Sequence, residues 1–238
     1  MPPLSSEEVR KYQQEFETQD AEAVLKWAYA RFGGRVVLAS SFSREDMILM
    51  DLAVKIRRNP RIVTLDTGRL PEETHRIMDD FRKKYGVAIE AYFPDKDAVE
   101  ALVKKKGFYS FRESLENRKE CCQIRKVEPL ARALRGADAW ITGQRRDQAV
   151  TRVVLNKIEP DFGNTGLVKF NPLADWDEAR IVAYVKEKKL PYNVLYDQGY
   201  RSIGCAPCTR AVAPGEDERA GRWWWENPGQ KECGIHRR

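Results

Sequence analysis

Long apolar runs are missing from this chain. No stretch offers the roughly 20 consecutive apolar residues that cross a bilayer, and the opening MPPLSSEEVRKYQQ lacks the apolar core of a secretory signal. The expectation is a cytoplasmic protein with no membrane partner. Cysteine is scarce and odd in number, five in 238 residues. A framework built only of disulfides would leave one thiol over, and a reducing compartment argues against it. Neither G-x-x-x-x-G-K-[ST] nor G-x-G-x-x-G occurs, which excludes an ordinary P-loop and a dinucleotide fingerprint. No internal repeat and no low-complexity linker is present. Neither sign of charge dominates: 42 Lys and Arg face 36 Asp and Glu, a net +6. That excess suits a small polyanion as well as nucleic acid and selects neither.

What is present is alternation. The length fits a single α/β domain over residues 1–238. Residues 6–16 and 20–34 read as two N-terminal helices within 1–34, the second capped by Asp20 and stopped by Gly33 and Gly34. Short β-branched runs at 35–40, 61–66, 87–93 and 137–143 read as buried strands, with another at 166–173. Between them, apolar residues at helical spacing mark helices at 44–56, 71–86, 96–107 and 175–189. Strands alternating with helices predict a parallel sheet with helices on both faces. From Tyr196 the periodicity fades into Gly, Pro and charge, so the tail is expected to be irregular, with a mobile C-terminal segment over 211–238.

In such a sheet ligands bind at the carboxyl ends of the strands. Three polar motifs fall there. SSFSRED, from Ser40 to Asp46, joins a strand to a helix N-terminus and could cradle an anion; a plain Ser N-cap would look the same. LDTGRL, from Leu65 to Leu70, could be only a glycine turn before a Pro-started helix. ITGQRRDQ, from Ile141 to Gln148, with Arg152 beyond, places paired guanidinium groups where phosphate or sulfate would sit. A solvated charge run explains one such motif better than it explains all three at the expected rim.

The cysteines form two groups and a singleton. Cys121 and Cys122 are adjacent, and Cys205 and Cys208 make a C-x-x-C. These four thiols could hold zinc or an iron–sulfur cluster. Adjacent cysteines are awkward around one small ion and easier on separated irons, and Arg125 and Lys126 would offset the thiolate charge. Cys233 stands alone in KECGIHRR, between a polar stretch and the basic residues His236 and Arg237. Positive neighbours favour a thiolate, and a thiol on a movable tail could meet a substrate and then a second protein. The Trp223–Trp225 run reads as an anchor for that tail.

The set CC-x-x-RK, GCAPCTR, GRWWWE and KECGIH, with LDTGRL and ITGQRRDQ, resembles the bacterial assimilatory adenylyl-sulfate reductases from about Arg35 onward. The resemblance implies an adenine-nucleotide α-hydrolase-like fold and a [4Fe–4S] cluster, one per chain, on Cys121, Cys122, Cys205 and Cys208. It implies Cys233 as the catalytic nucleophile. It places Ser40, Ser41, Phe42, Ser43 and Leu65 around the adenosine, and Lys126, Arg145, Arg152, Arg219 and Arg222 around the phosphosulfate, with Gly143 and His236 also at the substrate. The implied reaction, within sulfate assimilation and cysteine biosynthesis, reduces adenylyl sulfate to sulfite and AMP through a Cys S-sulfonate, with reduced thioredoxin or glutaredoxin as donor. A homo-oligomer and no nucleic-acid partner are expected. The segment Ala149 to Arg152 departs from the family's S-P-x-T-R but keeps Arg152. The rival readings are a 3′-phosphoadenylyl-sulfate reductase, which typically lacks the four cluster cysteines, and a metal-containing nucleic-acid-thiolating enzyme of the same fold, which should carry an RNA-binding appendage.

Overall fold

A computed structural model describes residues 4–161, 163 and 166–236, so Arg237 lies outside the described residues. The elements run α1 (Ser6–Glu17), α2 (Ala21–Phe32), β1 (Val36–Ser40), α3 (Arg44–Ile56), β2 (Arg61–Leu65), α4 (Glu72–Tyr85), β3 (Ile89–Tyr92), α5 (Lys96–Lys106), α6 (Leu115–Cys122), α7 (Glu128–Ala133), β4 (Ala139–Ile141), β5 (Ile158–Pro160), β6 (Val168–Phe170) and α8 (Glu178–Glu187). Local chemistry sets their ends. The Asp20 carboxylate accepts from the Ala23 amide to start α2, and Ser43 and Asp46 cap α3 reciprocally. Gly86, in the left-handed region, stops α4.

The strands form one six-stranded sheet in the order β3-β2-β1-β4-β6-β5. Every neighbouring pair is parallel except β5 against β6. Leu38 stands between Ile62 of β2 and Ile141 of β4. Alternation along each strand divides the core in two. Val36, Leu38, Ile62, Ala139 and Ile141 face a large apolar cluster that draws on α2, α3, α4 and α8. Val37, Val63 and Trp140 face the opposite way, onto Leu130, Ala133 and Leu134 at and just beyond α7. Both faces are covered, as the strand–helix alternation predicts. The chain reverses its direction of travel across the sheet between β1 and β4, and a crevice opens outside their carboxyl ends.

Two features escape the sequence pattern. β5 is three residues long, ends on a proline and pairs only at the sheet edge, too short to show a period. Between α6 and α7, residues Gln123–Val127 widen into a π turn. Beyond Glu187 the described chain forms only 3₁₀ turns and irregular backbone, as expected of the tail. Described residues of the C-terminal segment pack against the rest of the chain. Trp223 is 1% exposed, Trp225 packs on Phe111, and an isolated antiparallel bridge joins Thr209 to Arg222.

Candidate active site

The crevice is an open cleft with a cavity volume of about 200 Å³. One wall comes from the turn after β1. Ser40, Ser41 and Ser43 line it, and the Asp46 carboxylate ties the turn together by accepting from the Ser41 amide (2.6 Å) and hydroxyl (2.8 Å). Leu65 and Thr67 follow β2, and Thr142, Gly143 and Gln144 follow β4. Gly143 must be glycine: a Cβ there would lie 2.5 Å from Asp46 Oδ1 and 2.9 Å from Glu45 Cβ. The floor is apolar, from Val63, Leu130 and Trp140. Buried polar atoms without a protein partner gather here. Thr64 Oγ1, Gln144 Oε1, Arg222 Nε, Trp223 Nε1 and His236 Nδ1 are such atoms, and all five residues line the cleft. A ligand with both donors and acceptors would satisfy them.

The far end of the cleft is cationic. Lys126, Arg152, Arg219 and Arg222 line it together with Glu232, Cys233 and His236. Arg152 donates to Gln148 Oε1 at 2.6 Å and to both Glu232 oxygens at 3.1 Å. Burial alone would raise the Glu232 carboxyl, but Arg152 and Arg219 overcome it and hold the pKa at about 2. Burial, with Arg152 adding, lowers Arg219 to about 10. His236 stacks on Trp140, centroids 5.5 Å apart. Desolvation, then Arg152, pushes its pKa well below 6.5, so the imidazole is neutral at pH 7.

Behind this end lies a second cavity. Cys121, Cys122, Cys205 and Cys208 are all buried, none is in a disulfide, and the four side chains line a cavity of about 10 Å³ with Arg69, Arg125 and Trp223. α6 delivers the adjacent pair at its last turn, and a 3₁₀ turn over Ala206–Cys208 delivers the other. The π turn aims the two cations that follow the pair. Arg125 Nη1 donates to Thr67 O at 2.6 Å, and the Thr67 hydroxyl lies 3.2 Å from Cys205 Sγ. Lys126 lines both the cysteine cavity and the cleft, as does Trp223. Among the described residues no group of three or more His, Cys, Asp and Glu side chains is arranged to hold a metal ion. Four free thiols around one space, with cations beside them, still fit a thiolate-bound iron–sulfur cluster in donor chemistry.

Cys233 is half-buried on the cleft wall and packs against the cysteine cluster beside Trp225. The fold therefore brings together Ser40, Ser41, Ser43, Leu65, Gly143, Lys126, Arg152, Arg219, Arg222, His236 and Cys233. Two expected substrate contacts are elsewhere. The Phe42 side chain turns into the core, 1% exposed, edge-on to Phe81. Arg145 is also 1% exposed and absent from the cleft wall. Its guanidinium is consumed by Glu45 and Glu218, each at 2.8 Å, and by the Trp176 carbonyl. The buried carboxylates claim it because an unpaired buried charge is costly. Conversely, the sequence reading passed over Gln144 and Glu232. Their only signal was position, one at a strand end and one beside Cys233.

Fold and cleft together define an α/β protein of the nucleotide-binding kind, with a group of cations and a thiol lining the cleft. The phosphoadenosine phosphosulfate reductase domain model matches residues 35–211, and the chain belongs to that family. It is 52% identical over 203 residues to the adenosine 5′-phosphosulfate reductase of Allochromatium vinosum, covering 85% of this chain and 79% of that one. The enzyme of the same name from Burkholderia cepacia is also 52% identical, over 85% of this chain and 80% of its own length. The crystal structure of phosphoadenylyl-sulfate reductase from Candida auris, a phosphate complex, superposes with a TM-score of 0.74 at 28% identity, covering 88% of this chain and 98% of that one. Candida glabrata FMN adenylyltransferase shares the fold alone, with a TM-score of 0.57 at 15% identity over 87% of this chain and 68% of its own. No helix among the described residues is long and apolar enough to cross a membrane.

Proposed function

We propose that the chain is an adenylyl-sulfate reductase of sulfate assimilation, releasing sulfite and AMP. The observation that carries this is the placement of Cys233 on the same cleft wall as Lys126, Arg152, Arg219 and Arg222. Ser40, Ser41, Ser43, Leu65 and Gly143 surround the adenosine in this reading, and the cations surround the phosphosulfate. The Cys233 thiolate attacks the sulfate sulfur; the bond from sulfur to the AMP oxygen breaks, and AMP leaves with that electron pair. Guanidinium and ammonium groups stabilise the charge that develops on the departing phosphate. An S-sulfonate remains on Cys233. One thiolate of a reduced thioredoxin-class protein attacks Cys233 Sγ and expels sulfite. The second thiol then resolves the mixed disulfide, so the dithiol becomes a disulfide as sulfur is reduced. Cys233 remains partly exposed, which supports access by a second protein.

Cys121, Cys122, Cys205 and Cys208 would hold a [4Fe–4S] cluster in this reading. When bound it supplies charge beside the anion end, with Lys126 standing between the two sites. Lys126 orients the anion whatever the cavity contains.

The test is mass spectrometry of the peptide bearing Cys233. Protein mixed with adenylyl sulfate and no reductant should gain a sulfonate there, matched by AMP release, and thioredoxin should remove it as sulfite. AMP formed while Cys233 stays unmodified would sink the mechanism.

A further inference from the structure

The anion end of the cleft already holds an anion, supplied by the chain. Glu232 Oε1 accepts from Arg152 Nε at 3.1 Å and from Thr151 Oγ1 at 3.0 Å, and Oε2 accepts from Arg152 Nη2 at 3.1 Å and lies 3.6 Å from Arg219 Nη2. Two carboxylate oxygens on a guanidinium fork present the same acceptor pair as two oxygens of a sulfate or phosphate group. The residue that does this immediately precedes Cys233.

We propose that Glu232 is a built-in competitor for the substrate's anion: it holds Arg152 and Arg219 in the free protein, and the phosphosulfate must displace it to bind. The inference rests on the adenylyl-sulfate reading of the cleft. Two anions cannot share these guanidinium groups without like-charge repulsion in a poorly solvated place. The cleft therefore has two states, one with Glu232 seated and one with the ligand seated, and the ligand's apparent affinity is reduced by the fraction of time Glu232 is away. A neutral nucleoside gains nothing by evicting a carboxylate, whereas a ligand with its own oxyanion replaces every bond it breaks. Glu232 is in this sense a specificity-determining residue.

Displacement needs only a side-chain swing. The main chain around Glu232 is pinned separately, because Arg118 donates to the Glu232 carbonyl at 2.6 Å and to the Gln230 carbonyl at 2.8 Å. Cys233 can thus keep its place on the wall while its neighbour gives up the arginines.

The sign of one binding change decides the matter. Adenylyl sulfate is titrated into Cys233→Ser protein, which cannot turn it over, and into the Cys233→Ser, Glu232→Gln protein. Competition predicts tighter binding in the double variant, by about tenfold, with neutral adenosine bound equally by both. A carboxylate that merely pins the tail predicts equal or weaker binding, and either result overturns the proposal. A second measurement keeps Glu232 native and is independent of how the Gln variant folds. In a crystal of Cys233→Ser protein with adenylyl sulfate, the Glu232 carboxylate should have left Arg152 and Arg219. Both anions seated together on those arginines would refute the exchange. If the Cys233→Ser protein binds no adenylyl sulfate at all, the functional reading falls and this inference with it; equal affinities leave that reading standing and remove only the exchange.

Discussion

Arg118 of α6 and Glu226 of the C-terminal segment meet fork to fork, Nε to Oε1 at 2.9 Å and Nη2 to Oε2 at 2.8 Å, with side chains only 1% and 6% exposed. The same guanidinium lies over the Trp223 ring, 4.6 Å from its centroid. One buried side chain thus ties the helix bearing Cys121 and Cys122 to the segment bearing Cys233. Removing one partner leaves the other charge buried and unpaired, which costs about 3–5 kcal/mol. Arg118→Met should lose stability of that order in urea melts. Residues 226–236 should also lose hydrogen-exchange protection before the sheet does. A variant as stable as the native protein, with the segment still protected, would show that Trp223 and Trp225 dock the tail without help.

The two pairs of buried cysteines offer a separate test. If they hold a cluster, protein purified without air should be brown and carry about four irons per chain. Cys208→Ser should lose colour and iron, while Cys233→Ser should keep both, because Cys233 lies on the cleft side of the cysteine cluster. Native protein from iron-replete cells that carries one zinc, no iron and full activity would refute the iron assignment.

The parallel strands were legible as short runs rich in apolar residues, as Val36, Val37 and Leu38 show, whereas β5 was not. Asp20, and the serine N-cap in SSFSRED, declared helix starts for a local reason too. The cysteine grouping was legible from spacing alone. What stayed hidden depends on contacts distant in sequence. Nothing near Arg145 announces that Glu45 and Glu218 will claim it, 100 and 73 residues away. Phe42 sits among serines that face the cleft, but its backbone, at φ 59°, turns the ring into the core. The bond that Arg152 donates to Glu232 spans 80 residues and has no local signature.

Asp46 gives a pH prediction. It is 4% exposed, and its Oδ2 holds the turn after β1 through Ser41. Burial raises its pKa from 3.8 to about 6, against the lowering effect of the Ser41 bonds. Below pH 3.8 the group is protonated whether the chain is folded or unfolded and contributes nothing to pH dependence. Between 3.8 and about 6 the folded protein keeps a proton that the unfolded chain has released, so this group's contribution to stability falls as pH rises. Above that window both states are ionised and the penalty is constant, on the order of 3 kcal/mol. Asp46→Asn keeps an oxygen to accept from Ser41 but cannot ionise. Its stability relative to the native protein should therefore improve as pH rises through the window and level off above it. Urea melts of both proteins across a pH series measure this difference directly, with the other titrating groups cancelling. A difference that does not change with pH would mean the buried carboxyl keeps its ordinary pKa, the Ser41 bonds offsetting burial in full.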